Sequence, residues 1–267
     1  AIVIGTRPEI IKMTPTIKMC KTLYDTLLIH TGQNYDRTLN QLFFEEMDLQ
    51  QPDIYLECSK DNCCSAVGDI ITKSYTIFKE HDVDCLLLLG DTNSALCAYS
   101  AKRLKIPIFH LEGGNRAFDP NVPEEINRKI IDHLSDVNMC FMEHARRNLL
   151  KENGNPAYTF VVGSPIPEVF NTILPKLKNS QVLEKFNLKK NEYIVWSVHR
   201  EDNIDNDENF NEMINSLNKT SEFCKKRIIF GAHPRTSKKI NNSNIKLNDN
   251  IILTEPFGLI DYYSLQQ

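Results

Sequence analysis

No apolar stretch of this 267-residue chain approaches the roughly 20 residues that a membrane-spanning helix needs. The chain therefore does not read as a helical membrane protein. It has no basic excess either. Lys and Arg number 31 against 35 Asp and Glu, a formal net charge of −4, which argues against a nucleic-acid surface. None of the eight cysteines falls in a CxxC pair, so a zinc site lacks its usual spacing, and no His or carboxylate cluster supplies another metal site. Cys63 and Cys64 are adjacent, and sequence neighbours rarely bond to each other. The patterns GxGxxG and GxxxxGK(S/T) are missing, which leaves a nicotinamide cofactor and P-loop nucleotide hydrolysis without their ordinary support. No short-period repeat is present, and Ala1-Ile2-Val3-Ile4-Gly5 reads as a strand entering a turn, not as a signal peptide. A reducing cytoplasm is the default setting, with Cys85, Cys97 and Cys140 expected as small core hydrophobes.

What is present is an alternation of short apolar runs and amphipathic stretches. Strands are expected at Ile2–Ile4, Thr26–His30, Cys85–Leu89, Ile108–Leu111, Val137–Phe141, Thr159–Val162, Tyr193–Val198, Arg227–Gly231 and Ile251–Leu253. Helices are expected at Glu9–Tyr24, Asn93–Leu104, Pro123–Leu134, Glu143–Glu152 and Asn209–Leu217, with another starting at Leu259. This rhythm implies an α/β protein whose parallel sheets are covered on both faces. In Pro123–Leu134, Ile126, Ile130 and Leu134 share one face and should be buried, while Glu124, Arg128 and Asp132 share another. Pro165-Ile166-Pro167 marks a boundary before a lysine-rich helical stretch, giving two doubly wound domains, 1–167 and 168–267, around a cleft. The chain begins inside a strand without a methionine and ends partway along a helix. Its second domain is therefore expected to be truncated.

Open parallel sheets bind ligands at the carboxyl ends of their strands, and here those ends carry most of the chemistry. They read Gly5-Thr6-Arg7-Pro8-Glu9, Thr31-Gly32-Gln33-Asn34, Gly90-Asp91-Thr92, Glu112-Gly113-Gly114-Asn115-Arg116, His199-Arg200-Glu201-Asp202, His233-Pro234-Arg235 and Glu255-Pro256-Phe257. The opposite strand ends show no such enrichment. The first turn offers backbone N–H groups and a helix N-terminus to an anion, with Arg7 and Lys12 adding charge. His199, Arg200, His233 and Arg235 together favour an anionic ligand at the second domain, although each histidine alone fits a structural hydrogen bonder or a turn. His30, His110 and His133 have no such company and read as structural.

Each acidic residue has a bland explanation. Asp91 would cap the helix near Asn93, Glu112 would pair with Arg116, and Glu124 would complement a helix dipole. All three together, with Gly113-Gly114 letting the backbone come close, make chemistry the better reading.

The stretches GTRPEIIKMTP, TGQN, GDTNSALCAYSAKRLKIPIFHLEGGNR, PEEINRKIIDHLSD, GSPIPEV, SVHREDN, AHPR and EPFGLIDY run in order along the whole chain. As a set they resemble the non-hydrolysing UDP-N-acetylglucosamine 2-epimerases. That resemblance implies the glycosyltransferase-B architecture, two Rossmann-like domains around a cleft, usually in a homodimer. It implies a UDP-N-acetylhexosamine substrate and no cofactor. The proton at C2 leaves as UDP departs from C1, and UDP adds back to the 2-acetamidoglycal as a proton reaches the other face of C2. It matches Asp91, Glu112, Glu124 and His199 to catalytic positions. Arg7, Lys12, Arg128 and Arg200 match positions near the substrate, and His233, Arg235 and Phe257 complete the expected binding set.

Two departures from the family pattern bear on function. The pattern continues beyond EPFG and a tyrosine to a serine- and glycine-rich turn, so these 267 residues alone are expected to be weakly active or inactive. The Thr31-Gly32-Gln33-Asn34 loop and the short GGNRAFDPNVPEE spacer are similar to the branch acting on UDP-2-acetamido-2,6-dideoxy-L-hexoses. UDP-GlcNAc/UDP-ManNAc interconversion is the alternative. A glycosyltransferase of the same architecture, a hydrolysing epimerase and a UDP-sugar-binding regulator are the rival classes. The glycosyltransferase would not explain three carboxylates within the first domain.

Overall fold

The computed structural model describes residues 1–32, 37–59, 61–198, 206–243 and 245–267, without the side chains of 37–40 and 234. The chain divides into two compact units, Ala1–Thr172 and Ile173–Gln267. The division falls inside a helix, Ile166–Leu177, whereas the sequence reading placed it at residue 167.

Unit 1 holds a seven-stranded sheet of β1 (Ile2–Ile4), β2 (Leu28–His30), β3 (Ile54–Tyr55), β4 (Leu86–Leu89), β5 (Ile108–Leu111), β6 (Val137–Cys140) and β7 (Thr159–Val161). Every pairing is parallel, in the order β3-β2-β1-β4-β5-β6-β7. The chain therefore winds outward from β1 in one direction, then returns to β4 and winds the other way. The carboxyl ends of β1 and β4 flank the switch point, where such sheets leave a crevice. Central strands are apolar on both faces because helices cover both: Ile2, Val3 and Ile4 are all buried, as are Leu86, Leu88 and Leu89. Ile70 and Phe78 of the helix Cys63–Glu80 pack there with Ala98, Ala101 and Ile131. Each such large side chain contributes about 1.5–3 kcal/mol by leaving water.

Unit 2 holds three parallel strands, β8 (Tyr193–Trp196), β9 (Arg227–Gly231) and β10 (Ile251–Thr254), in the order β10-β9-β8. On one side Phe210, Ile214 and Leu217 of the helix Asp207–Cys224 pack on Ile228 and Phe230. On the other, Ile229 meets Val182 and Leu265. Asn206 starts that helix by accepting from the Glu208 and Asn209 N–H groups, and Lys225 ends it in the left-handed region at φ 52°. No helix among the described residues is long and apolar enough to cross a membrane.

Three expectations need correction. In the helix Pro123–Leu134, Ile126 and Ile130 are 59% and 42% exposed, and the buried positions are Glu125, Ile131 and Asp132. The helix is turned because its polar side satisfies backbone and charged groups beneath it, a demand that apolar periodicity does not register. Cys85 is exposed, since it precedes β4 instead of opening it, whereas Cys97 and Cys140 are buried. Finally, β3 and the helices Arg37–Glu46 and Cys63–Glu80 were not anticipated. The two residues of β3 are too short for a periodic signal, but Ala66, Ile70, Ser74 and Phe78 form a stripe at four-residue spacing that the sequence displays.

Candidate active site

The turn after β1 is already occupied by the protein's own carboxylate. Glu9 is buried and accepts from the Gly5 N–H (2.9 Å), the Thr6 N–H (2.7 Å) and the Thr6 hydroxyl (2.8 Å). Its other oxygen accepts from the Thr92 hydroxyl at 2.7 Å. Burial pushes its pKa up, against the pull of the Thr92 and Thr6 hydrogen bonds. The Gly5 and Thr6 N–H groups expected to face a phosphate thus point at Glu9. Glu9 instead ties the β1 turn to the β4 turn across the switch point. What remains for an anion there is side-chain charge: Arg7, whose guanidinium lies 5.7 Å from the Phe43 ring centre, and Lys12.

Lys12 and Glu112 form a fork. The Lys12 ammonium donates to both Glu112 oxygens, at 2.9 and 2.7 Å, although 100 residues separate them. Arg128 makes a second pair, its Nε donating to Asp91 at 2.6 Å while Nη1 donates to Glu125 at 3.0 Å. Both pairs are partly buried, with side chains 19–26% exposed, so they are less screened than surface pairs. Because β4 and β5 pair in register, Leu89 against Leu111, the residues that follow them, Gly90-Asp91 and Glu112, leave neighbouring strands side by side. The Glu112 carboxylate comes within 3.7 Å of where a Cβ on Gly90 would stand. Glu112 also has φ 69°, a left-handed backbone that costs about 1–2 kcal/mol in a residue with a Cβ.

The bland explanations for Asp91 and Glu112 give way here. Thr92, not Asp91, precedes the short helical turn Asn93–Cys97. Arg116 ignores Glu112 and donates instead to Glu152 (2.8 and 2.6 Å) and Asp132 (2.6 Å). The glycines after Glu112 serve the protein's own packing: a Cβ on Gly113 would crowd Asn138 and Asp132, and one on Gly114 would overlap the Ala145 carbonyl.

Glu124 is exposed in the first helical turn beside this group, with no hydrogen bond or ion pair to a described residue. Its neighbour Glu125, not singled out by the sequence reading, is buried and accepts from the Ala117 and Phe118 N–H groups (2.9 and 3.2 Å). Burial raises its pKa, but those donors and Arg128 outweigh burial and hold it low. Asn127 donates to the Asp91 carbonyl (2.9 Å) and to Asn93 (3.0 Å), fixing the same turn. The spacing Asn127-Arg128 after the paired glutamates was the available signal.

In unit 2, His233 caps the helix Pro234–Asn242, its Nδ1 accepting from the Arg235 N–H at 3.3 Å. Arg235 itself is exposed. Phe257 packs edge-on against Phe186, centroids 5.9 Å apart, and within 3.2 Å of where a Gly231 Cβ would be. His199 and Arg200 lie outside the described residues, as does Asn34.

The UDP-N-acetylglucosamine 2-epimerase family model matches residues 19–267. A UDP-N-acetylglucosamine 2-epimerase of Methanococcus maripaludis is 35% identical over the whole of this chain and 75% of its own length. The solved UDP-N-acetylglucosamine 2-epimerase of Rickettsia bellii is 43% identical with a TM-score of 0.90, covering 99% of this chain and 70% of that one. The Methanocaldococcus jannaschii UDP-GlcNAc 2-epimerase, solved in complex with UDP-GlcNAc and UDP, is 33% identical with a TM-score of 0.89, covering 99% of this chain and 75% of its own. These solved epimerases share the glycosyltransferase-B type of α/β fold. With paired carboxylates and cations at the strand ends of unit 1, the chain belongs to the non-hydrolysing branch of the UDP-N-acetylglucosamine 2-epimerase family.

Proposed function

We propose that this enzyme inverts C2 of a UDP-N-acetylhexosamine by eliminating UDP to a 2-acetamidoglycal and adding it back. The observation that carries this reading is the pairing of Asp91 with Arg128 and of Glu112 with Lys12 at the ends of adjacent strands. Inversion through a planar C2 needs an acid–base group near each sugar face. Loss of UDP from C1 needs fixed cations toward the departing diphosphate. Asp91, Glu112 and Glu124 are read as the acid–base set. Lys12 and Arg128 hold two of these carboxylates in place, and Arg7 adds charge for the diphosphate. From the family resemblance, His199 and Arg200 join the chemistry from the second domain. His233 and Arg235 help to bind the nucleotide and Phe257 shapes its pocket. Residues 1–167 would carry the proton transfers and 168–267 the UDP, in a cytoplasmic homodimer.

The sugar is read as a UDP-2-acetamido-2,6-dideoxy-L-hexose, on its way to a surface polysaccharide. The support is the short GGNRAFDPNVPEE spacer, which the Glu125 carboxylate pulls into a compact loop through Ala117 and Phe118. The second reading is UDP-GlcNAc/UDP-ManNAc interconversion, favoured by the UDP-N-acetylglucosamine 2-epimerases that are 33–35% identical to this chain. Incubation with each UDP-sugar and no acceptor, followed by NMR, tests both. The L-hexose reading expects turnover of the 6-deoxy pair at least tenfold above UDP-GlcNAc. Equal or greater UDP-GlcNAc turnover contradicts it, and UDP with free sugar as products would mean a hydrolysing epimerase.

A further inference from the structure

Behind the two carboxylates lies a charged cluster that the proposed proton transfers do not use. His110, on β5, is buried, and both ring nitrogens face oxygen acceptors. Nε2 lies 2.7 Å from the Gly90 carbonyl, and Nδ1 lies 3.0 Å from Asp132 and 3.4 Å from the Asn138 amide oxygen. A neutral imidazole carries one N–H and would leave a buried nitrogen facing an oxygen lone pair, so only the imidazolium satisfies both sides. Asp132, equally buried, accepts from the Gly114 N–H at 3.1 Å and from Arg116 at 2.6 Å. Arg116 in turn is held by Glu152 and by the Asn115 carbonyl, 2.7 Å away.

The backbone groups held by this cluster are the ones that matter. Gly90 immediately precedes Asp91. Gly114 and Asn115 close the turn that begins at Glu112, whose left-handed backbone needs to be held. Asn115 also reaches Glu112 through its side chain, at 3.4 Å. From these contacts we propose that His110, Asp132 and Arg116 form a positioning network that sets the separation of Asp91 and Glu112 by clamping the backbone before one and after the other. The inference rests on the reading of those two carboxylates as members of the acid–base set.

The charges facing His110 are Asp132 from the helix Pro123–Leu134 and, beyond it, Arg116. Gly90 and Asn138 face it as neutral groups. Burial alone would lower the His110 pKa, but the Asp132 carboxylate and the Gly90 carbonyl together raise it.

Two measurements on the full-length enzyme test the network. The first compares wild type with His110→Gln, which can donate to Gly90 but cannot bridge to Asp132 as a cation. The expected result is a kcat about 100-fold lower, as for misplaced reacting groups, with the UDP dissociation constant within about threefold of wild type. The alkaline limb of the kcat–pH profile should also disappear. Unchanged kcat, or parallel losses in kcat and UDP affinity, overturns the proposal. The second uses wild type alone, so it stands even if the variant does not fold. In 15N-histidine NMR, His110 should carry protons on both ring nitrogens at the pH of maximal turnover, and a neutral ring there overturns the proposal. A wild type that epimerises normally while His110→Gln does the same would sink this inference and leave the proposed function standing. A wild type that performs no C2 chemistry removes both.

Discussion

The carboxyl edges of the two sheets are built differently. At the edge of unit 1, four acidic groups already have partners: Glu9 its hydroxyls and N–H groups, Asp91 its arginine, Glu112 its lysine, Asp132 its histidine and arginine. Among the described residues at the edge of unit 2, His233 caps its own helix, Lys239 of that helix pairs with Asp207 at 2.6 Å, and the Thr236 hydroxyl is buried without a hydrogen-bond partner. The first edge is organised before any ligand arrives, which is what fast proton transfer asks of a site. Titration is perturbed at His30, His110, Glu9, Glu125, Asp132 and Glu152 in unit 1 and at Tyr193 in unit 2.

The sharpest way to break this contrast is to neutralise the unit 1 carboxylates. Asp91→Asn and Glu112→Gln should each lower kcat by roughly 10²–10⁴ and leave UDP binding, measured by calorimetry, nearly unchanged. A loss of UDP affinity as large as the loss of rate would make these residues part of the nucleotide site instead. Lys12→Met should have a smaller effect, about 10–100-fold on kcat, by stranding Glu112 without its cation. If KM for the UDP-sugar rises alone, Lys12 serves the diphosphate and its fork with Glu112 belongs to the ligand-free state.

Acidification should destabilise unit 1 through its buried histidine and its depressed carboxyls. His30 is buried with its pKa pushed down to about 4. As pH falls from 6.5 toward 4 the unfolded chain takes up a proton that the folded chain refuses, and about 3 kcal/mol of stability is lost. The depressed carboxyls Asp132, Glu125 and Glu152 add to this loss as pH falls further through their folded values. The raised His110 works oppositely, its contribution being full below the unfolded value and lost as pH rises through the folded one. Calorimetric scans should therefore show unit 1 losing Tm between pH 6.5 and 4, with the slope reduced in His30→Asn. An unchanged slope in His30→Asn would contradict this. The smallest effect belongs to unit 2: His233→Ala should cost at most about 1 kcal/mol, as for a lost helix cap, visible as a small shift in urea midpoint.

How much of this was legible beforehand depends on the range of the interaction. Strand ends are local features, so Asp91 and Glu112 could be found from the residues that follow β4 and β5, and the turn after β1 from its proline and glycine. The partners were not legible. Lys12 meets Glu112 across 100 residues and Arg128 meets Asp91 across 37, and no periodicity in the chain encodes such a meeting. The orientation of the helix Pro123–Leu134 was misread for a related reason. Apolar spacing predicts an apolar buried face, but here burial follows Glu125 and Asp132, whose hydrogen-bonding obligations outweigh the gain from covering Ile126 and Ile130. His110 read as structural, which matches its position in the interior. Its doubly donating geometry needed the Gly90 carbonyl and Asp132 to be located first.

The central claim is that the unit 1 carboxylates move a proton at C2. Its most direct test is NMR of the full-length enzyme in deuterated water with a panel of UDP-N-acetylhexosamines. Deuterium should enter at C2 of both epimers with wild type, and incorporation should fall with Asp91→Asn or Glu112→Gln in step with kcat. Epimers interconverting while C2 keeps its original hydrogen would contradict the claim.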